Sequence, residues 1–154
     1  EYATEKAERG VTLVYGSMYG NTEVMMNAVA QGISRTGVPL EIFDAARMHA
    51  TYILPSLWTR IGVMIGAPTY EVALFYPIAH LFDIAVHKGL RNKKAAFFGS
   101  YGWIGGARKN LERIIEPSQW DLIDSFEFVG GPTKEDLKKG EEFGEKFAKI
   151  IQNA

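Results

Sequence analysis

A loop of small polar residues after the first apolar segment offers the clearest binding chemistry in the chain. A β-prone run over residues 11–15 ends at Gly16, and hydroxyl and amide side chains occupy much of residues 17–22. A helical pattern begins beside Asn21 and Thr22. Because backbone N–H groups and short hydroxyls at a helix N-terminus bind phosphate, the loop predicts a phosphate site. It contains no Lys or Arg, which suits a retained cofactor phosphate better than a phosphoryl group to be transferred.

Two further loops place aromatic side chains among small residues. They read Ala-Pro-Thr-Tyr-Glu at residues 67–71 and Ser-Tyr-Gly-Trp-Ile-Gly-Gly at residues 100–106. Tyr70, with either Tyr101 or Trp103, can stack on the two faces of a flat ring, and each stack adds about 0.5–1.5 kcal/mol. A phosphate at one end and a planar ring at the other describe a mononucleotide, and a flavin fits best.

Each loop also has a simpler interpretation. A Ser/Asn/Thr stretch before a helix often forms only a cap and a turn. Pro68 and Thr69 can form a plain turn, and Trp103 in its glycine-rich loop can serve packing alone. The flavin interpretation is favoured because the three loops follow strands that meet at one edge of the predicted sheet.

Five apolar, β-prone runs alternate with helical patterns and predict the elements that position these loops. The runs occupy residues 11–15, 40–43, 61–65, 95–98 and 126–129. Strict alternation predicts an α/β fold, a doubly wound five-stranded parallel sheet with helices on both faces. Strand order 2-1-3-4-5 would bring the loops after strands 1, 3 and 4 to one crevice.

The helices are predicted from apolar residues spaced three or four positions apart. Residues 47–59 are expected to form a short or distorted helix because they contain Pro55. Thr133 and Asp136 are typical of a capping box at the start of the last helix, in which Gly140 and Gly144 would permit close approach to the sheet. Three further helices are predicted, each from one stripe of apolar or small residues. The first stripe is Met25, Ala28, Val29, Gly32 and Ile33, the second is Leu74, Ile78, Leu81, Phe82 and Ala85, and the third is Ile104, Ala107, Leu111, Ile114 and Ile115, closed by Pro117.

The composition limits the class of protein. A chain of 154 residues fits one domain, and a net charge of −1 argues against a nucleic-acid or membrane surface. The chain has no Cys, which excludes disulfides and Cys-ligated clusters within it. No apolar run reaches transmembrane length, so we expect a cytoplasmic protein. Residues 1–10 are polar and do not begin with Met, which favours a domain cut from a longer protein over a processed protein; the domain itself would span residues 11–154.

Three side chains stand in a spacing that metal ligands can use. His80, Asp83 and His87 lie at i, i+3 and i+7 of a predicted helix. They fall between its apolar positions, so we interpret them as a solvated face and predict no metal site.

Three motifs together resemble the FMN-binding, flavodoxin-like domain of flavodiiron proteins, also called A-type flavoproteins. They are Gly-Ser-Met-Tyr-Gly-Asn-Thr at residues 16–22, Gly-Ala-Pro-Thr-Tyr at 66–70 and Phe-Gly-Ser-Tyr-Gly-Trp at 98–103. The resemblance covers about residues 8–152. It implies that the FMN phosphate is held by Ser17, Met18, Tyr19, Gly20, Asn21 and Thr22. It implies that the ring is flanked by Pro68, Thr69, Tyr70, Glu71, Ser100, Tyr101, Gly102, Trp103 and Gly105.

The resemblance also implies a role in electron transport. In this family of rubredoxin:oxygen and nitric oxide oxidoreductases, FMN takes electrons from a small donor such as rubredoxin or a reductase. It passes them to a di-iron site on a metallo-β-lactamase-like domain, often of a second subunit. That site is bound by a His-x-Glu-x-Asp-His motif, to which none of His49, His80 and His87 belongs. The resemblance thus implies that residues 1–10 are the linker from a missing N-terminal domain. The chain would therefore be the electron-entry half of an oxidoreductase, with no catalytic side chain of its own.

Several alternatives remain open. Glu71 stands where the family commonly has an amide or Gly, and its carboxylate would either disfavour an anionic reduced flavin or point to solvent. A free-standing flavodoxin or flavin-dependent quinone reductase would use the same site, although a shuttle flavodoxin is usually strongly acidic. A module of this fold without flavin is a further alternative. A phosphorylated receiver domain is excluded, because Gly16-Ser17 and Ala67-Pro68 occupy the positions of its acidic cluster and acceptor Asp.

Overall fold

Parallel strands form the centre of the molecule and confirm the predicted sheet. The structure is a computed structural model that describes residues 8–16, 21–45, 47–48, 50–66, 69–70, 73–74, 80–81, 83–85, 93–101, 112–113, 116, 120–129 and 132–153. The strands are β1 (Glu8–Tyr15), β2 (Leu40–Asp44), β3 (Arg60–Gly66), β4 (Thr69–Tyr70), β5 (Ala73–Leu74), β6 (Lys94–Tyr101) and β7 (Asp121–Val129). Five of them form a parallel sheet in the order β2-β1-β3-β6-β7, the predicted order 2-1-3-4-5.

Helices cover both faces of this sheet, as predicted. They are α1 (Asn21–Ser34), α2 (Ala50–Thr59) and α3 (Lys134–Gln152). Successive residues of β1 point to opposite faces: Leu13 packs in the cluster formed with α1 and α3, whereas Val14 packs in the cluster formed with α2. Among the described helices, none is long and apolar enough to cross a membrane.

The last helix begins as predicted, but its glycines contact a different element. Thr133 Oγ1 accepts from the backbone N–H of Asp136, whose carboxylate accepts from the backbone N–H of Thr133, which completes a capping box. The expectation that Gly140 and Gly144 face the sheet is wrong. A Cβ at Gly144 would overlap the carbonyl of Val29, and one at Gly140 would overlap Met25, so both glycines face α1.

The second predicted helical stripe is wrong at its first residue. Leu74 lies in β5 and pairs with Thr69 of β4 in an antiparallel hairpin. Residues 80–81 and 83–85 are helical, and Leu81 and Ala85 are buried as predicted. The pairing of Leu74 with Thr69 outweighs its helical spacing in the sequence. Ile78 and Phe82 lie outside the described residues, as do all five members of the third stripe, Ile104, Ala107, Leu111, Ile114 and Ile115.

Three strands differ from their predicted ranges by more than one residue at an end. β7 begins at Asp121 rather than at residue 126 and lies at the edge of the sheet. The prediction missed its first residues because Asp121, Asp124 and Ser125 interrupt the apolar pattern of the strand. β6 extends through Ser100 and Tyr101, which pair with β7 and therefore do not belong to a loop. β1 includes Glu8–Gly10, whereas residues 1–7 lie outside the description; the linker stays a prediction.

A buried lysine lies at the amino edge of the sheet. Lys93 is 1% exposed, and its Nζ donates to the carbonyl oxygens of Arg60 at 2.6 Å and Trp58 at 3.4 Å. These carbonyls stand at the junction of α2 and β3, where a helix C-terminus favours a cation. Burial nevertheless lowers the pKa of Lys93 to about 8.

We expect replacement of Gly32 in α1 to destabilise the fold. A Cβ at this position would overlap the carbonyl of Glu141 in α3, so Gly32→Ala must separate the two helices. The expected loss in free energy of unfolding is about 1–3 kcal/mol, measured by urea denaturation. Gln31→Ala is the matched control, because Gln31 is an exposed neighbour in the same helix. Equal stability of the two variants would contradict this close contact.

We expect Lys93 to make stability rise with pH. Its pKa of about 8 in the folded chain lies below the ordinary 10.5, so the unfolded chain binds more protons between these values. The free energy of unfolding then increases with pH across this window. Between pH 7 and 9.5 the wild type should gain about 2 kcal/mol relative to Lys93→Met, in urea denaturation at each pH. If the free energies of unfolding of the two proteins changed equally with pH, the lowered pKa of Lys93 would be contradicted.

Candidate functional site

The first predicted loop lies where β1 ends and α1 begins, at the carboxyl edge of the sheet. Gly16 follows β1 and donates its backbone N–H to the carbonyl of Gly66 at the end of β3, at 2.9 Å. This hydrogen bond joins the two strand ends at which the sheet order changes direction. Ligands bind at such a switch point in doubly wound folds. Ser17, Met18, Tyr19 and Gly20 lie outside the described residues.

Thr22 carries a buried hydroxyl group in the first turn of α1. The residue is 1% exposed, and its Oγ1 has no hydrogen-bond partner among the described residues. A buried hydroxyl without a partner costs about 1–3 kcal/mol, so such a group calls for an explanation. The first backbone N–H groups of a helix also lack partners within the helix. An anion at this position would accept from both kinds of donor.

The described residues of the other two predicted loops lie in strands that contact each other. Thr69 and Tyr70 form β4, which contacts β6, and Ser100 and Tyr101 end β6. α1 also contacts β6. Asn21 begins α1 as predicted. Pro68, Glu71, Gly102, Trp103 and Gly105 lie outside the description, and their roles stay predictions.

A glycine and an aromatic ring fix the spacing of β3 and β6 at this edge. Gly66 ends β3, and a Cβ there would overlap the ring of Phe98. Phe98 is fully buried and belongs to β6. The ring therefore occupies the space beside Gly66, directly before the second predicted loop. Both residues belong to the motifs on which the resemblance rests.

Carboxylates dominate the described charges beside the first loop. Burial raises the pKa of Tyr15 above its usual value, and the negative charges of Asp44 and Glu23 raise it further, while Arg47 opposes them. Arg47 Nε lies 3.5 Å from Asp44 Oδ2, and the Arg47 side chain is 86% exposed. These charged residues were not identified from the sequence. The predicted strand order could have indicated them, because it puts the end of β2 beside the end of β1.

The three residues with metal-ligand spacing do not form a cluster among the described residues. His80 and Asp83 are both exposed on a helical segment, and His87 lies outside the described residues. Within the described part of the chain, no group of three or more His, Cys, Asp and Glu side chains is placed to hold a metal ion.

Known proteins share this fold and sequence pattern. The family model for flavodoxin matches residues 13–144. The anaerobic nitric oxide reductase flavorubredoxin of Escherichia coli K12 is 32% identical over 151 residues, which covers 97% of this chain and 32% of that protein. The chain thus spans about a third of the length of the curated relatives it matches.

Two solved structures superpose on nearly the whole chain. The rubredoxin oxygen:oxidoreductase from Desulfovibrio gigas gives a TM-score of 0.90 at 22% identity, over 99% of this chain and 38% of that one. The flavodiiron core of Flv1 from Synechocystis sp. PCC6803 gives 0.86 at 28% identity, with the same coverage of 99% and 38%. The chain belongs to the flavodoxin family, and it corresponds to the flavodoxin-like domain that flavodiiron proteins contain.

Proposed function

We propose that this chain binds FMN and transfers electrons. It accepts them from a redox partner and passes them to a di-iron site that reduces oxygen or nitric oxide on a metallo-β-lactamase-like domain outside this chain. The observation that carries the proposal is the buried Thr22 hydroxyl in the first turn of α1, without a partner among the described residues. Thr22 lies at the switch point, where doubly wound folds bind ligands and where the N-terminus of a helix favours a phosphate.

The donor set around Thr22 fits a phosphate that is bound and kept. Uncharged donors and the positive end of the α1 dipole attract a dianion without a cation. Residues 17–22 contain no Lys or Arg, and the described charges nearest Tyr15 are mainly carboxylates. A site that activates a phosphoryl group needs cations to neutralise developing charge. The chemistry of these donors therefore favours a cofactor over a phosphoryl substrate.

When bound, FMN supplies one- and two-electron chemistry, and the side chains of the domain hold and shield it. Thr22 and the first backbone N–H groups of α1 would bind the phosphate. Tyr70, with Tyr101 or Trp103, would cover the ring and exclude water from it. Tyr70 lies in β4 and Tyr101 in β6, and these two strands contact each other, which supports their action as one pocket wall. No side chain of this chain need act as an acid, base or nucleophile.

The names of the relatives support the rest of the proposal. The E. coli relative is called a nitric oxide reductase flavorubredoxin, and the D. gigas structure is called a rubredoxin oxygen:oxidoreductase. A rubredoxin-type donor therefore suits this domain. Both relatives are much longer than this chain, which leaves room for the di-iron domain elsewhere in such proteins.

We expect Thr22→Val to weaken FMN binding and to stabilise the chain without FMN. The variant keeps the β-branched shape but removes a hydroxyl that donates to the phosphate. A hydrogen bond to a charged group contributes about 1.5–3 kcal/mol, so the Kd should rise about 10- to 100-fold. Without FMN, loss of the unpaired buried hydroxyl should raise the free energy of unfolding by about 1 kcal/mol. Quenching of FMN fluorescence and urea denaturation measure the two effects.

Thr22→Ser is the matched control, because it retains the hydroxyl and should bind FMN nearly as the wild type does. If Thr22→Val bound FMN as tightly as the wild type, the proposed contact between Thr22 and the phosphate would be contradicted. Free-flavin fluorescence that persists with excess wild-type protein would refute the cofactor itself.

We expect the FMN-loaded chain to be reduced by a rubredoxin and not to act as a quinone reductase. Rapid loss of flavin absorbance on mixing with reduced rubredoxin is the expected result, because the relative that is 32% identical over 97% of this chain is named a flavorubredoxin. NADPH with a quinone is the comparison, and it should give no steady turnover. Turnover with NADPH and quinone, together with slow reduction by rubredoxin, would favour the free-standing quinone reductase instead.

A further inference from the structure

Gly66 connects the three strands that lead to the predicted loops. It is the last residue of β3, directly before the second loop. Its carbonyl oxygen accepts from the backbone N–H of Gly16, the residue that follows β1, at 2.9 Å. On the other side of β3 it is paired with Phe98 of β6, the strand that carries Ser100 and Tyr101. A displacement of Gly66 therefore changes the position of the first and second loops relative to the end of β6.

Space, rather than backbone conformation, requires a glycine at position 66. Among the described residues, Gly37 is the one glycine with a positive φ, so the backbone at Gly66 does not itself call for a glycine. The three atoms that a Cβ at Gly66 would overlap are Cζ and the two Cε atoms of Phe98. A single ring thus excludes every larger residue from this position.

The ring of Phe98 is enclosed between helix α1 and the sheet. Phe98 is fully buried, in the cluster that contains Met25 and Met26 of α1. Because protein interiors are close-packed, a methyl group added beside such a ring forces the backbone to shift. The end of β3, at the edge of the sheet, is the part that can move. Gly66 would then carry with it the carbonyl that binds Gly16.

We propose that Gly66 and Phe98 form a positioning pair, which sets the distance between the phosphate end and the ring end of the flavin site. The proposal rests on the FMN binding proposed above, in which Thr22 would bind the phosphate and Tyr70 would cover the ring. Both ends of one FMN molecule bind together only when the site has a spacing that the ribityl chain spans. Gly66 and Phe98 act on this spacing through the strands that they hold together.

The ratio of FMN affinity to riboflavin affinity tests the spacing, because riboflavin has the same ring but no phosphate. Gly66→Ala should lower this ratio about 10-fold, since the displaced strand end prevents the two ends of FMN from binding together. Quenching of flavin fluorescence gives the Kd of each flavin for each variant. A substitution that only lowers the fraction of folded protein weakens both flavins equally and leaves the ratio unchanged.

Gly62→Ala is the matched control, because Gly62 lies in the same strand, away from the carboxyl edge. A Cβ at Gly62 would stand 2.9 Å from side-chain atoms of Ile151 in α3, so this alanine also crowds the core. Its effect should appear in the free energy of unfolding. The ratio of FMN affinity to riboflavin affinity should remain that of the wild type.

Phe98→Leu provides a second test, which does not require that Gly66→Ala folds. Leucine lacks Cζ and both Cε atoms, so it removes the overlap and leaves a gap beside Gly66. Phe98→Leu alone should lower the affinity ratio about 3-fold, because the end of β3 loses its support. In the double variant Gly66→Ala/Phe98→Leu, the added methyl group fills part of the gap, and the ratio should return toward the wild-type value.

Three results would overturn the positioning pair. They are an unchanged ratio in Gly66→Ala, an equal fall in Gly62→Ala, and a double variant whose ratio is no higher than that of Phe98→Leu. In each of these cases the wild type still binds FMN, so the function proposed above would stand. If the wild type did not bind FMN, that function would be refuted, and the positioning pair with it.

Discussion

The contact between α1 and α3 determines where the N-terminus of α1 lies, and the candidate site depends on that position. Gly32 on α1 and Gly144 on α3 each face a backbone carbonyl of the other helix, so the two helices pack with almost no side chains between them. Helices this close have little freedom to slide or rotate, because any shift brings backbone atoms into collision. The surrounding ion pairs of Arg35 with Glu141 and Glu145 are exposed and add little to this constraint.

The electrostatics of the two sheet edges are opposite in kind. At the amino edge, the buried ammonium group of Lys93 binds backbone carbonyls near the end of α2. At the carboxyl edge, the described residues offer an unpaired hydroxyl and the start of α1, beside carboxylates. Parallel strands bring helix starts to one edge and helix ends to the other, so this division follows from topology. It leaves the binding edge with donors that suit an anion.

Local patterns and topology rules predicted much of this architecture. The apolar runs and their alternation with helices predicted the parallel sheet, whose expected strand order is confirmed, and the spacing of Thr133 and Asp136 predicted the capping box. The place of Thr22 at a helix start was predicted too, whereas its role in phosphate binding stays a prediction. The errors concern partners distant in sequence: Gly140 and Gly144 face α1 rather than the sheet, and Leu74 pairs with Thr69 despite its helical spacing. The pairing of Asp44 with Arg47 near Tyr15 needed three-dimensional placement, because its effect depends on which strands are neighbours.

The order of the elements along the chain has a consequence for folding during synthesis. Within the described part of this domain, α1 is the first helix and its partner α3 is the last. Hydrogen bonds from the turn that follows α1 to α3 span more than a hundred positions: Arg35 and Glu141 are separated by 106 residues, and Thr36 and Gln152 by 116. Long-range contacts of this kind form late. On a ribosome, α1 therefore stays exposed until α3 has emerged, and the proposed cofactor site can form only after α3 has been made.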